Sequence, residues 1–243
     1  MKTVLVTGGA KRLGAAISRR LARSGWKVVI HYRGSASEAE ALAGEISALT
    51  IAADLVDAAA AEALPARASA LLAGPLDAVV NSASVFEYNT AATFAAEDFD
   101  RDIAVNLRAP AMIARAFAKS LSAGRSGAVV NLLDQKLWNL NADFFSYTIS
   151  KMGLEGATRL LAKALAPAVR VNAVAPGLVL PSGGQTEEEF RAVAGRYNLL
   201  KRPIDIDAVA GAVEFLLDNG AITGTTILAD NGQHMVASDH DIM

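Results

Sequence analysis

"KTVLVTGGAKRLGAAISRRLARSG" (residues 2–25) decides the fold. It begins as a short apolar run rich in valine, the pattern of a strand covered on both faces. Gly8 and Gly9 break the run. "LGAAISRRLARSG" (13–25) then places Ile17, Leu21 and Ala22 on one helical face. Strand, glycine turn and helix in that order make the first half of a βα unit. Gly8 can turn sharply, and Gly14 lets the helix approach closely. The turn falls at the carboxyl end of a strand, where open α/β sheets bind ligands, and the helix start offers free N–H groups to a phosphate. Lys11, Arg12 and Leu13 complete the candidate phosphate turn.

The pattern recurs outward from this stretch. "KVVIHY" (27–32), "LTIAAD" (49–54), "LDAVVN" (76–81), "GAVVNLL" (127–133), "VRVNAVA" (169–175) and "TTILAD" (225–230) read as six further strands. Alanine-rich helical segments lie between them: 37–49, a segment with Pro65 at the start of the helix proper, a long helix near 102–123, and 145–166 ending at Pro167. Repeated βα order with right-handed crossovers predicts one doubly wound Rossmann domain over 1–243, with a seven-stranded parallel sheet and helices on both faces. "PGLVLPSGGQTEEEF" (176–190) opens a loop with a short helix. Residues from about 177 to 200 are expected to form a substrate loop or lid.

Composition bounds the function. The chain has 243 residues, 52% of them hydrophobic, enough for a large core without staples. It has no cysteine, which removes disulfides, thiolate nucleophiles and cysteine-bound zinc and fits a reducing cytosol. A net charge of −2 gives no footprint for nucleic acid. No apolar run approaches the ~20 residues of a membrane span, and the first residues are too short for a signal peptide. The expectation is a cytoplasmic enzyme with a small-molecule substrate and no metal.

The second strand ends "HYRGS" (31–35), without the acid that commonly binds a ribose 2′-hydroxyl. It carries Arg33 and Ser35, with Arg12 nearby in the turn. Two guanidinium groups and a hydroxyl suit a 2′-phosphate, so the expected cofactor is NADPH. His31, Tyr32, Asp54 and Leu55 join the expected cofactor set, Asp54 as a partner for the adenine edge.

Tyr147 and Lys151 are four residues apart, on one face of a predicted helix. An ammonium there is expected to pull the tyrosine down from its usual ~10 and fit it for acid catalysis. Asp134 lies thirteen residues before Tyr147. The ordered set adds "NSAS" (81–84), Asn106 and "PG" (176–177).

This set resembles the short-chain dehydrogenase/reductase family along nearly the whole chain. The resemblance implies that Tyr147 donates a proton and that Lys151 binds the nicotinamide ribose. It implies that Asn106 holds a water linked to the lysine, that Asn81, Ser82 and Ala83 line the cofactor, and that Pro176 and Gly177 approach the nicotinamide. It also implies a homotetramer built through helices near 102–123 and 147–166. Three positions depart from the usual pattern: Arg12 replaces a glycine, Asn-Ser-Ala-Ser replaces Asn-Asn-Ala-Gly, and Asp134 replaces the catalytic serine. These departures, with "HYRGSASEAEAL" (31–42), are similar to pteridine reductases and bacterial dihydromonapterin/dihydrofolate reductases. That likeness implies contacts from Arg12 and Ser84 to cofactor or pterin, and stacking of Phe86 on the pterin.

The chemistry points the same way. A serine donates a hydrogen bond to a carbonyl oxygen, whereas an ionised aspartate cannot, and it repels a developing alkoxide. A dihydropterin offers a C=N nitrogen that must gain a proton and an amino edge that wants an acceptor, and Asp134 could serve either need. Two rivals stand beside this reading: an NADPH-dependent carbonyl or 3-oxoacyl reductase that tolerates Asp134, and a non-catalytic NADPH-binding regulator.

Overall fold

The computed structural model describes residues 1–181 and 185–241. Seven strands form one parallel sheet: β1 (Thr3–Thr7), β2 (Lys27–Tyr32), β3 (Leu49–Ala52), β4 (Ala78–Asn81), β5 (Gly127–Leu132), β6 (Val169–Pro176) and β7 (Thr226–Ala229). Their order is β3-β2-β1-β4-β5-β6-β7. The expected doubly wound sheet is therefore present, and the order reverses between β1 and β4. At that switch the carboxyl ends of both strands open a crevice.

Helices α1 (Arg12–Arg23), α2 (Ala36–Ile46) and α8 (Ile206–Asp218) cover one face. Ile17, Leu21, Leu42, Val213 and Leu216 pack there against Val4, Val28 and Val130. Helices α3 (Ala58–Leu72), α5 (Ala109–Ser120) and α6 (Phe145–Leu165) cover the other. Leu64, Ile113 and Phe117 pack there against Leu5, Val79 and Val129. The central strands thus send alternate apolar residues into two cores, which is why they read as continuous apolar runs. Each fully buried Leu or Ile contributes on the order of 1.5–3 kcal/mol.

Three elements differ from expectation. Pro65 lies inside α3, which starts earlier because the Asp57 carboxylate caps it by accepting from the Ala59 and Ala60 N–H groups. The long helix near 102–123 is instead α4 (Ala96–Ile103), one π turn (Ala104–Arg108) and α5 in continuous succession. Helix α8 is additional. Arg20 of α1 clamps it through Glu214 at 2.6 Å and Asp207 at 2.8 Å. The expected acidic helix start is α7 (Glu187–Val193), entered by a reciprocal Thr186/Glu189 capping box. Residues 182–184 of the expected lid lie outside the described residues.

Candidate active site

The site is built first from the turn after β1. Gly8 has φ +61, and a Cβ on Gly14 would lie 2.1 Å from the Gly8 oxygen, so the turn requires glycine at both places. Arg12 also has positive φ, +53, at the position where the resemblance implies a glycine. Such a residue persists where its side chain has work to do. Its guanidinium crosses the crevice and donates to the Pro181 oxygen at 2.6 Å, tying the phosphate turn to the loop after β6. No side chain caps the start of α1 and no acid lies in its first turn, so its N–H groups remain open to an anion.

Thr7 fixes the opposite wall. Its Oγ1 accepts from the Ser82 and Ala83 N–H groups at 3.0 and 3.1 Å, holding "NSAS" beside the glycine turn. The cleft between these walls has a volume of about 760 Å³. Lys11, Leu13, Ser35, Asp54 and Leu55 line its nucleotide half, and Arg33 adds a cation there. Arg33 and Ser35, just past the end of β2, both line the cleft, while the Arg12 guanidinium turns toward the loop.

Three residues of the expected cofactor set are engaged with the protein itself. His31 lines the cleft, but both ring nitrogens are occupied: Nδ1 accepts from Gly8 N–H at 3.1 Å, and Nε2 donates to the Ala53 oxygen at 3.1 Å. Burial pushes its pKa down to about 4, so it is a neutral brace under the turn. Tyr32 lies off the cleft wall and packs against the first core. Asn81 is buried and donates to Asn131 Oδ1 at 2.8 Å; Asn131 in turn donates to Thr158 at 2.9 Å. This polar ladder aligns β4, β5 and α6 rather than presenting an amide to the cleft.

The other half of the cleft carries the proton chemistry. Asp134 lies two residues past the end of β5 and is half-buried. Its Oδ1 accepts from the Lys136 N–H at 2.8 Å, and its Oδ2 accepts from the Tyr147 hydroxyl at 2.8 Å. Loss of water raises its carboxyl above the ordinary range, against the pull of those two bonds and of Lys151. Tyr147, on the first turn of α6, is itself buried. Burial first, and then the negative Asp134, hold its pKa well above 10. The expected lowering by Lys151 is thus overturned. The Lys151 Nζ donates to the Leu132 oxygen at 2.8 Å and sits 5.6 Å from the Tyr147 ring centre. Burial lowers Lys151 to about 8. Tyr147 is a neutral donor whose proton points at a carboxylate.

Asn106 sits in the π turn, a local irregularity common at functional sites. Its Oδ1 accepts from Ser84 Oγ and Val85 N–H, and its Nδ2 donates to Val85 O and Ser150 Oγ. Its side chain is saturated, so the water expected there would have to use its main-chain oxygen. The same bonds place Ser84 on the cleft wall. Phe86 is 41% exposed, which removes a core role. It stacks on Phe144 with ring centres 4.0 Å apart and meets the Tyr147 ring edge-on at 4.7 Å. Pro176 and Gly177 reach the cleft from β6, and Gln233 fastens the loop by accepting from the Leu178 N–H at 2.8 Å.

Sequence reasoning missed Gln135, Phe144, Gln233 and Asp241. Gln135 carried a signal in its position directly after Asp134. The others reach the site only through tertiary folding.

A dinucleotide cradle joined to a Tyr-x-x-x-Lys pair is the arrangement of a nicotinamide-dependent oxidoreductase. The family model described as Enoyl-(Acyl carrier protein) reductase matches residues 8–234, and the chain belongs to the short-chain dehydrogenase/reductase family. Among solved structures it is similar to FolM Alternative dihydrofolate reductase 1 from Brucella canis complexed with NADP. The two are 40% identical with a TM-score of 0.90, covering 97% of this chain and 95% of that one. It is 32% identical to Pteridine reductase 1 of Leishmania tarentolae, covering 94% of each chain. It is also 30% identical to NADPH-dependent aldehyde reductase 2, chloroplastic, of Arabidopsis thaliana, covering 95% of this chain and 93% of that one.

Proposed function

We propose that this protein is an NADPH-dependent reductase of the C=N bond of a dihydropterin or dihydrofolate, giving the tetrahydro form. The observation that carries the reading is the Tyr147–Asp134 hydrogen bond in a cleft bordered by an exposed aromatic ring. The glycine cradle, the open start of α1 and the Arg33/Ser35 pair fit NADPH, which supplies the hydride when bound. The likeness to the Brucella FolM and Leishmania pteridine reductase proteins supports the substrate class.

The residues divide the work. Tyr147 donates its hydroxyl proton to the substrate nitrogen as the carbon receives hydride. Asp134, raised by burial, exchanges protons with Tyr147 and restores it, so the two titrate as a pair. Lys151 offers an ammonium for a ribose hydroxyl and stabilises negative charge on Tyr147 as its proton leaves. Phe86 supplies an edge or face for a flat heterocycle. A carbonyl substrate would meet a carboxylate where a neutral donor is needed, which disfavours the rival reductase reading.

The test is NADPH oxidation with dihydrobiopterin, dihydromonapterin, dihydrofolate and a panel of aldehydes, ketones and 3-oxoacyl thioesters. Turnover of at least one dihydropterin or dihydrofolate, well above the carbonyl panel, is expected. Faster carbonyl reduction would replace the reading, and binding of NADPH without any turnover would favour a regulator.

A further inference from the structure

Beyond Asp134 the cleft wall carries groups that the reaction above does not use. Gln135 opens the short helical turn Gln135–Trp138 and lines the cleft. It is only 8% exposed, and its enclosed Oε1 has no hydrogen-bond partner among the described residues. That oxygen is closed off from the cleft, so the amide group that can meet a ligand is Nε2, a donor.

The second group comes from far along the chain. Asp241 lines the same cleft as Gln135 and Tyr147. Its position is fixed by Lys136, which is buried and donates through Nζ to Asp241 Oδ2 at 2.5 Å and to the Asp143 main-chain oxygen at 2.5 Å. Asp241 N–H donates to Asp143 Oδ2 at 2.9 Å, and Asn139 Nδ2 donates to the Val236 oxygen at 2.7 Å. Residues 236–241 are thereby fastened to the turn that follows Asp134. One ammonium satisfies one oxygen of Asp241 and leaves the carboxylate with further capacity to accept.

We infer that Gln135 and Asp241 form a recognition edge for the pyrimidinone ring of the substrate. The inference rests on the pterin reading proposed above and specifies how that ring is held. A 2-amino-4-oxo ring presents an –NH–C=O edge and an amino group. The Gln135 Nε2 can donate to the carbonyl of the former, and a carboxylate accepts from the latter. An aldehyde or a simple ketone offers neither edge. The wall therefore selects by hydrogen-bond pattern, the form of discrimination that punishes a mismatched ligand most because it leaves buried groups unpaired.

The test uses the protein saturated with NADP⁺, which cannot reduce the ligand. Binding of oxidised 2-amino-4-oxopteridine and of its 2,4-dioxo analogue is measured by fluorescence. The unmodified protein should prefer the amino compound by about tenfold, the range of one differential hydrogen bond. Asp241→Asn should bring that ratio close to one. Gln135→Leu should weaken both ligands by about tenfold, with NADP⁺ affinity and thermal midpoint retained. If Gln135→Leu fails to fold, Gln135→Glu, which keeps length but loses the donor, should weaken both ligands. Unchanged affinities and an unchanged ratio in the folded variants would overturn the recognition edge while leaving the enzymatic reading intact. No binding of either pteridine, together with no dihydropterin turnover, would overturn the enzymatic reading and this inference with it.

Discussion

Tyr147 gives its hydroxyl hydrogen to Asp134 across 2.8 Å, so the proposed proton donor is bonded to an acid. Each residue perturbs the other. Burial, and after it the carboxylate, keeps Tyr147 protonated, and the tyrosine partly offsets what burial does to the carboxyl. A neutral tyrosine beside an acid of raised pKa can pass a proton outward and be refilled from behind.

Removing the Tyr147 hydroxyl should stop that transfer without disturbing the cleft. Tyr147→Phe keeps the ring that Phe86 touches. Dihydropterin turnover should fall by about 10²-fold or more, while NADPH affinity measured by fluorescence stays near that of the parent. Near-parental turnover would assign the donated proton to Asp134 directly.

Cofactor choice should rest on Arg33. It lines the nucleotide half of the cleft with Ser35, whereas Arg12 is bonded to Pro181. Arg33→Asp should weaken NADPH by roughly ten- to a hundredfold, the loss of one charge-assisted contact of about 1.5–3 kcal/mol, and should leave NADH affinity far less affected. Titrating both nucleotides reads this out, and equal affinities in the parent would contradict it.

Lys151 should make the cofactor-free protein gain stability in base. Its folded pKa is about 8 against an ordinary 10.5. A depressed folded pKa means the lysine's contribution is greatest above the unfolded value and is lost as pH falls through the folded one. Between pH 7 and 9.5 the parent should therefore gain about 2 kcal/mol relative to Lys151→Met in urea unfolding. A pH-independent difference would mean that Lys151 is not desolvated. The same variant should lack turnover, since the buried ammonium serves the reaction at the expense of the fold.

The sheet was legible because buried parallel strands have a plain signature. "KTVLVT" and "GAVVNLL" are apolar on both faces, and Gly8 and Gly14 mark a turn where a side chain would collide. Asp134, Tyr147 and Lys151 were legible as a set by spacing, and the structure brings them together. The tyrosine pKa was not. Spacing places a lysine nearby, but burial and the aspartate outweigh it, and both are tertiary facts. His31, Asn81 and Asn106 were placed at the right end of the sheet, but His31 and Asn106 spend their side-chain hydrogen bonds on protein partners, and Asn81 is buried with its amide nitrogen on Asn131. Asp241 gave no local signal, because only Lys136 and Asp143 bring it to the cleft.

The central claim is that Asp134 serves an imine. Asp134→Asn keeps the size of the side chain but cannot exchange a proton as an acid, and Asp134→Ser restores the neutral donor of a carbonyl reductase. The direct measurement is the pH–rate profile of dihydropterin reduction for the parent and both variants, with a carbonyl substrate run beside it. In the parent, the rate should fall as pH rises through the Asp134 pKa, which lies above the ordinary carboxylate range because of burial. Both variants should lose most of the dihydropterin rate and that pH limb, keep NADPH affinity, and Asp134→Ser should gain a trace of carbonyl reduction. Full dihydropterin turnover by Asp134→Asn with an unchanged profile would contradict the account and leave Asp134 as the cap that holds the Lys136 N–H.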